Sequence, residues 1–263
     1  MTAPPVVARL RAAGCVWAED EARLLTAAAT DGAALEALVA RRVAGEPLET
    51  VLGWVDFLGR RLVVASGVFV PRRRTELLAR TTLGEVAARP GVPVVVETCC
   101  GVAPVAASIG DPTGIELHAA DIDATALGCA GSNALTAALH LGDLYDALPA
   151  RLRGRVDVLA ANAPYVPTDR IADMPPEARD HEPRAALDGG ADGVDLHRRI
   201  AASAPEWLAT GGVLLVETSP GQAALTTAAM EAAGLTTSVE ADPGIGGCVA
   251  VGRFSPPAAG EPA

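Results

Sequence analysis

The chain has 263 residues, half of them apolar, and a formal charge of -11. That length supports one large domain with a sizeable core, and the acidic balance argues against a broad electrostatic grip on nucleic acid, which needs clustered arginine or lysine. The five cysteines, Cys15, Cys99, Cys100, Cys129 and Cys248, are odd in number and lack metal-ligand spacing, so they suggest neither a disulfide framework nor a metal site and fit a reduced, cytoplasmic setting. No apolar run approaches the roughly 20 residues of a membrane span, and the N-terminus lacks the features of a signal peptide.

In chain order, Val6 to Ala44 carries apolar residues at helical spacing, in Leu24, Leu25 and Ala28 and again in Leu35, Leu38 and Val39, which predicts a helical region over 1–45. Gly45-Glu46-Pro47 breaks it. From Val51 to Val70 apolar and polar residues alternate around Leu58-Gly59-Arg60, which predicts a β-hairpin connector within 46–72. Thr75 to Ala88 reads as a helix. From Val92 on, strands and helices alternate as in a doubly wound α/β sheet, with strands expected at Val94–Thr98, Ile115–Ala120, Ala138–Leu141, Val156–Ala161, Gly212–Glu217, Thr236–Glu240 and Cys248–Gly252. Residues 255–263, rich in Pro, Gly and Ala, predict a disordered tail after a main domain over 73–254.

The residues able to do chemistry fall at strand ends. Asn162-Ala163-Pro164-Tyr165 follows the apolar run 156–161, at the edge where open α/β sheets place their ligand crevice. Asn162 offers a carbonyl acceptor, Pro164 fixes the backbone and Tyr165 supplies a flat wall, a pocket suited to a planar group bearing an NH2. Glu97 ends an earlier strand and leads into a small-residue turn, Thr98 to Ala103, with Gly101 inside it and Pro104 opening a helix. Asp121, about 20 residues beyond that turn, is placed to accept from both hydroxyls of a ribose, and Asp143 to accept from an adenine amino group. Asp121, Asp123 and Asp143 equally fit helix caps. Single histidines such as His181 and His197 are more often bystanders than ligands.

Together these residues resemble the protein-(glutamine-N5) methyltransferases, the family of the release-factor and ribosomal-protein glutamine methyltransferases. The resemblance runs from Gly45 to Arg253 and rests on Gly45-Glu46-Pro47-Leu48 with Leu52-Gly53, Val70-Pro71-Arg72 with Thr75-Glu76, the turn from Glu97 to Ala103, and Asp121. It continues through Asn162 to Tyr165, Asp180-His181-Glu182-Pro183, Ala186-Leu187-Asp188-Gly189-Gly190 and Asp192-Gly193. The chain departs from the family pattern in Ala163, where a proline is usual, and in Cys99 and Ala103, where the cofactor turn usually has glycine. The resemblance implies a class I methyltransferase fold, Rossmann-like with a seven-stranded sheet. It also implies S-adenosyl-L-methionine as cofactor, held by Glu97, Gly101, Ala103, Asp121, Asp143 and Asn162, and a protein substrate carrying a target glutamine, with no membrane and no direct nucleic-acid partner. Asn162, Pro164 and Tyr165 would be catalytic. Asn162 and Ala163 would accept the two N–H bonds of the glutamine amide, and Glu182 would contact the substrate peptide. Two alternatives stand beside this reading, an adenine-amino methyltransferase acting on nucleic acid and a degenerate, non-catalytic cofactor-binding protein.

Overall fold

The computed structural model describes residues 3–110 and 113–255. Three helices, α1 Ala3–Ala12, α2 Ala18–Ala28 and α3 Gly32–Val43, open the chain, in keeping with the helical region expected there. They bury Val6, Leu10, Leu25, Leu35 and Val39 in a small core of their own. Asp31 starts α3 by accepting the Ala34 N–H at 2.8 Å, the usual work of a short polar cap. Arg42 of α3 binds Glu21 of α2 at 2.6 Å and, far along the chain, Glu177 at 2.7 Å.

The connector differs from expectation. A five-residue helix, α4 Leu48–Leu52, precedes the hairpin and ends at Gly53, whose φ is 81°. The hairpin itself is short, β1 Trp54–Phe57 against β2 Arg60–Val63. Its two-residue turn, Leu58 (φ 49°) and Gly59 (φ 74°), has the positive φ values whose twist matches that of the strands it joins. One helical turn is too short for a period of 3.6 to be told from a period of 2, which is why 48–52 is misread. Val64, Val68 and Val70 continue into the main core without forming a strand.

A 3-10 turn at Arg73–Thr75 leads into α5 Glu76–Ala87. There follow β3 Val94–Thr98, α6 Pro104–Ile109, β4 Glu116–Asp121, α7 Ala124–Asn133, β5 Ala138–Leu141 and β6 Val156–Ala161. The chain finishes with α8 Pro176–His181, α9 Asp195–Trp207, β7 Leu208–Glu217, α10 Ala223–Ala232, β8 Leu235–Asp242 and β9 Gly247–Phe254. All seven expected strands form one sheet, ordered β5-β4-β3-β6-β7-β9-β8. Pairings from β5 across to β7 are parallel, and β9 runs antiparallel to both β7 and β8. Every residue of β3 is buried, as a strand covered on both faces requires. The strand order reverses direction at β3 and β6, and the carboxyl ends of these two strands open the crevice that such a switch point creates. The expected tail lies, from residue 256 on, outside the described residues.

Candidate active site

The crevice is a cleft of about 280 Å³ lined by the turn Cys99 to Val102, by Asp121, Ile122 and Asp123, by Gly142 to Leu144, and by Asn162 and Pro164. A second pocket, of about 40 Å³, lies beside it between Arg72, Arg74, Asn162, Ala163, Pro164, Tyr165 and Leu187. Asn162 and Pro164 line both. With Phe69 and Ala186, which also line both, the loop that leaves β6 forms the wall between a large and a small pocket.

In the cleft the acids separate by role. Asp123 is the cap of α7, accepting the Thr125 N–H at 2.7 Å. Asp121 caps nothing: its two oxygens accept the N–H of Gly101 at 2.7 Å and of Asp123 at 2.9 Å, which fixes the carboxylate at the edge of the cleft. Burial raises its pKa while these N–H groups pull against that shift. Asp143 makes no cap either; it pairs with Arg199 of α9 at 2.7 Å, so both side chains of that pair border the cleft.

Glu97 and Ala103 sit behind this lining. The Glu97 carboxylate turns inward and accepts the N–H groups of Val105 and Ala106 at 3.2 and 2.7 Å, at the positive end of α6. Burial nevertheless pushes its pKa up to about 8. Ala103 is fully buried in the main core, with φ 59°, so its methyl group lies among core side chains and outside the cleft lining. Cys99, also in the left-handed region (φ 52°), does border the cleft. Burial pushes its thiol up to about 12, which keeps it protonated and a poor nucleophile. A left-handed residue other than glycine costs about 1–2 kcal/mol, and this turn holds two, a strain that brings the backbone of Gly101 to the cleft surface.

At the smaller pocket Asn162 donates from Nδ2 to Thr75 Oγ1 at 3.4 Å, and its Oδ1 has no partner among the described residues. The Tyr165 hydroxyl donates to Glu217 Oε1 at 3.1 Å, and Arg74 donates to the same oxygen at 3.3 Å. Arg74 also lies 5.6 Å from the centre of the Tyr165 ring, so the ring is held on edge and face. Behind the loop, the segment 187–193 acts as a clasp. Val166 donates to Leu187 O at 3.0 Å, Gly189 donates to Val166 O at 2.8 Å, and Thr168 donates to Gly190 O at 2.9 Å. Gln222 completes it by donating from Nε2 to the carbonyls of Tyr165 and Asp192 at 2.8 and 3.0 Å.

Glu182 does not fit the substrate contact expected of it. Its side chain is 0% exposed and binds Arg72 at 2.6 Å, with a further bond from the Val70 N–H at 3.2 Å. Burial of the residue joins the clasp region to the connector; the sequence hid this because an acid in a polar loop looks solvent-facing. His197 is likewise buried, in α9, where its Nδ1 meets Thr226 Oγ1 at 2.9 Å and its Nε2 makes no regular hydrogen bond. Burial pushes its pKa down to about 4, opposed by the nearby Ala163 backbone, so this ring is neutral and stands under the acceptor loop. Glu217 and Gln222 were not expected at the site: each is a lone polar residue at an element end, without a spacing signal; Thr75 stood in a segment that carries the family resemblance, with no role assigned to it. His181 stays apart from both pockets.

A seven-stranded sheet of this order, an acid after its second strand and an Asn-Ala-Pro-Tyr loop beside a nucleoside-sized cleft define a class I S-adenosyl-L-methionine-dependent methyltransferase. The ribosomal protein L11 methylase from Lactobacillus delbrueckii subsp. bulgaricus shares the fold, with a TM-score of 0.52 at 14% identity over 73% of this chain and 83% of that one. No protein-family profile matches the chain. Several bacterial proteins named release factor glutamine methyltransferase are 32–37% identical to it. That of Bradyrhizobium diazoefficiens is 34% identical over 242 residues, covering 83% of this chain and 81% of its own. The 4-amino-L-phenylalanine/4-methylamino-L-phenylalanine methyltransferase of Streptomyces pristinaespiralis is 35% identical over 206 residues, covering 74% and 69%. The chain belongs to the release factor glutamine methyltransferase family. Its cofactor is S-adenosyl-L-methionine, and the residues present fit it: an anchored carboxylate for the ribose, apolar Ile122 and Leu144 for a base, and a backbone turn at Gly101 open to the ligand. Among the described residues no helix is long and apolar enough to cross a membrane.

Proposed function

We propose that the protein transfers a methyl group from S-adenosyl-L-methionine to the side-chain amide nitrogen of a glutamine in a protein substrate, in line with bacterial relatives named release factor glutamine methyltransferase. The observation that carries this reading is the wall shared by the two pockets: Asn162 borders the cofactor cleft on one side and the small pocket on the other. The bound cofactor supplies a methyl group already activated on a sulfonium. An amide nitrogen is a weak nucleophile, so the protein's task is placement and desolvation. Asn162 Oδ1 and the Ala163 carbonyl accept the two N–H bonds of the amide and turn its nitrogen toward the cleft. Pro164 holds the loop, and Tyr165, tied to Glu217 and Arg74, walls the amide plane. Asp121 holds the ribose, while the pair Asp143–Arg199 borders the base.

The pocket selects an amide over a carboxylate, because a carboxylate facing two acceptors leaves them unpaired and repelled. The test is methyl transfer from labelled cofactor to the release factor of the same organism, with the modified residue located by mass spectrometry. Label on a glutamine, lost in Asn162→Ala with cofactor affinity retained, supports the proposal. Transfer only to an aromatic amine such as 4-aminophenylalanine, the acceptor named for the Streptomyces relative, assigns a different acceptor class and overturns it.

A further inference from the structure

We propose that Arg74, with Arg72 beside it, recognises a carboxylate on the acceptor, close to the group that receives the methyl. The small pocket has two charged side chains in its lining, and both are arginines. Among the described residues no acid lines it.

The acids that belong to these cations are buried. Glu182, whose side chain is 0% exposed, accepts from Arg72 Nη2 on both carboxylate oxygens at 2.6 Å. Glu217, 1% exposed, accepts from Arg74 Nε at 3.3 Å. Each arginine is thus anchored through one nitrogen, and the other two nitrogens of each guanidinium make no regular hydrogen bond among the described residues. The two side chains remain 30% and 42% exposed, so these donors are open to a ligand. Each cation is also stiffened by a ring: Arg74 Cζ lies 5.6 Å from the centre of Tyr165, and Arg72 Cζ lies 5.0 Å from that of Phe69. A guanidinium fixed by an ion pair and an aromatic ring is preorganised as a fork, which binds a carboxylate through paired hydrogen bonds.

Bracing alone would use one nitrogen of each arginine, and it gives no reason for a lining with cations and no acid. Arg73, between them in sequence, is exposed and pairs with no acid among the described residues. Three consecutive cations therefore stand at this pocket in a chain of formal charge -11, and their positive field is local. Two ends of the site read two groups. Asn162, in the wall shared with the cofactor cleft, meets the amide, and Arg74, at the Tyr165 ring, meets the carboxylate. That carboxylate has two possible sources, an acidic side chain flanking the target glutamine in a peptide, or the α-carboxylate of a free amino acid.

The inference rests on the proposed methyl transfer for where the acceptor lies. The probes are blocked peptides with one glutamine flanked by glycine, aspartate or lysine, and L-glutamine against its α-amide. Affinity is measured by calorimetric titration with S-adenosyl-L-homocysteine present, and kcat/KM with labelled cofactor. The wild type is expected to prefer the aspartate peptide over the glycine peptide, or L-glutamine over its α-amide, by roughly tenfold, the scale of one charge-assisted hydrogen bond. Added salt should shrink that preference. Whichever pair shows it identifies the source of the carboxylate.

Arg74→Gln, which keeps a donor for Glu217, should remove the preference, and Arg74→Lys, which keeps the charge without the fork, should retain part of it. Because Arg74 also braces Tyr165, the rates themselves fall in both variants, and the ratio between charged and neutral probes decides. Equal affinity for charged and neutral probes in the wild type, no affinity for any probe bearing a carboxylate, or a preference that survives Arg74→Gln overturns the inference. If no glutamine is methylated while carboxylate probes still bind through Arg74, the proposed transfer fails and the carboxylate site stands.

Discussion

Asp121 accepts the main-chain N–H of Gly101 at 2.7 Å, so the acid proposed to hold the ribose also holds the turn that lines the same cleft. Removing this side chain strikes both. A hydrogen bond to a charged group contributes about 1.5–3 kcal/mol, and each 1.4 kcal/mol is tenfold in affinity. Asp121→Ala is expected to weaken S-adenosyl-L-methionine binding by roughly ten- to a few hundredfold, measured by calorimetric titration. Unchanged affinity would sink the assignment of the ribose site.

Glu97 gives a pH signature. Its folded pKa of about 8 lies above the ordinary glutamate value of 4.5, so between these limits the folded protein holds a proton that the unfolded chain releases. Stability from this group is fully present at low pH and falls as pH rises through that window, levelling above about 8. Glu97→Gln keeps an acceptor for α6 and removes the titration. Thermal midpoints from pH 5 to 9 should slope less in this variant than in the wild type, and equal slopes would refute the linkage.

Much of this was legible before any coordinates, for uneven reasons. Strands β3 and β6 match their expected limits because buried parallel strands are continuous apolar runs between turns, and the exposed edge strand β5 matches on its short apolar run ahead of Gly142. Asp121, Asp143 and Asn162 were findable because a strand end names a place in space. The inward turn of Glu97 and Glu182 was not legible: side-chain direction at those points is decided by a helix start and by Arg72, each brought from elsewhere in the chain. His197 was read as a bystander, and it became part of the support for the acceptor loop only through the packing of α9 against the sheet. Ala103 stood among the residues expected to hold the cofactor, and the left-handed backbone turns its methyl group into the core instead.

Glu182 tests the distinction between holding a fold and touching a substrate. Breaking a buried charge pair from one side costs about 3–5 kcal/mol, with Arg72 partly exposed placing this one toward the lower end. Glu182→Ala should lower the unfolding midpoint clearly in denaturant titration. A variant of full stability with a raised KM alone would return Glu182 to the substrate-binding role.

Gly193 lies at φ 80°, and a Cβ there would run into Gln222 Nε2 and the Tyr165 carbonyl. Both are members of the clasp. Gly193→Ala is expected to cost more than about 2 kcal/mol in stability and to reduce methyl transfer more than it reduces cofactor binding. Wild-type turnover in this variant would show that the clasp does not position the loop.

Asn133 ties the hairpin to the cofactor turn. Its side chain accepts from the Val63 N–H at 2.7 Å and donates to the carbonyls of Val63 and Val102 at 3.0 and 2.9 Å. Opening of β2 and opening of the turn are coupled through this side chain, and a ligand that stabilises the closed turn is expected to slow the exchange of hairpin amides with solvent, although it touches none of them.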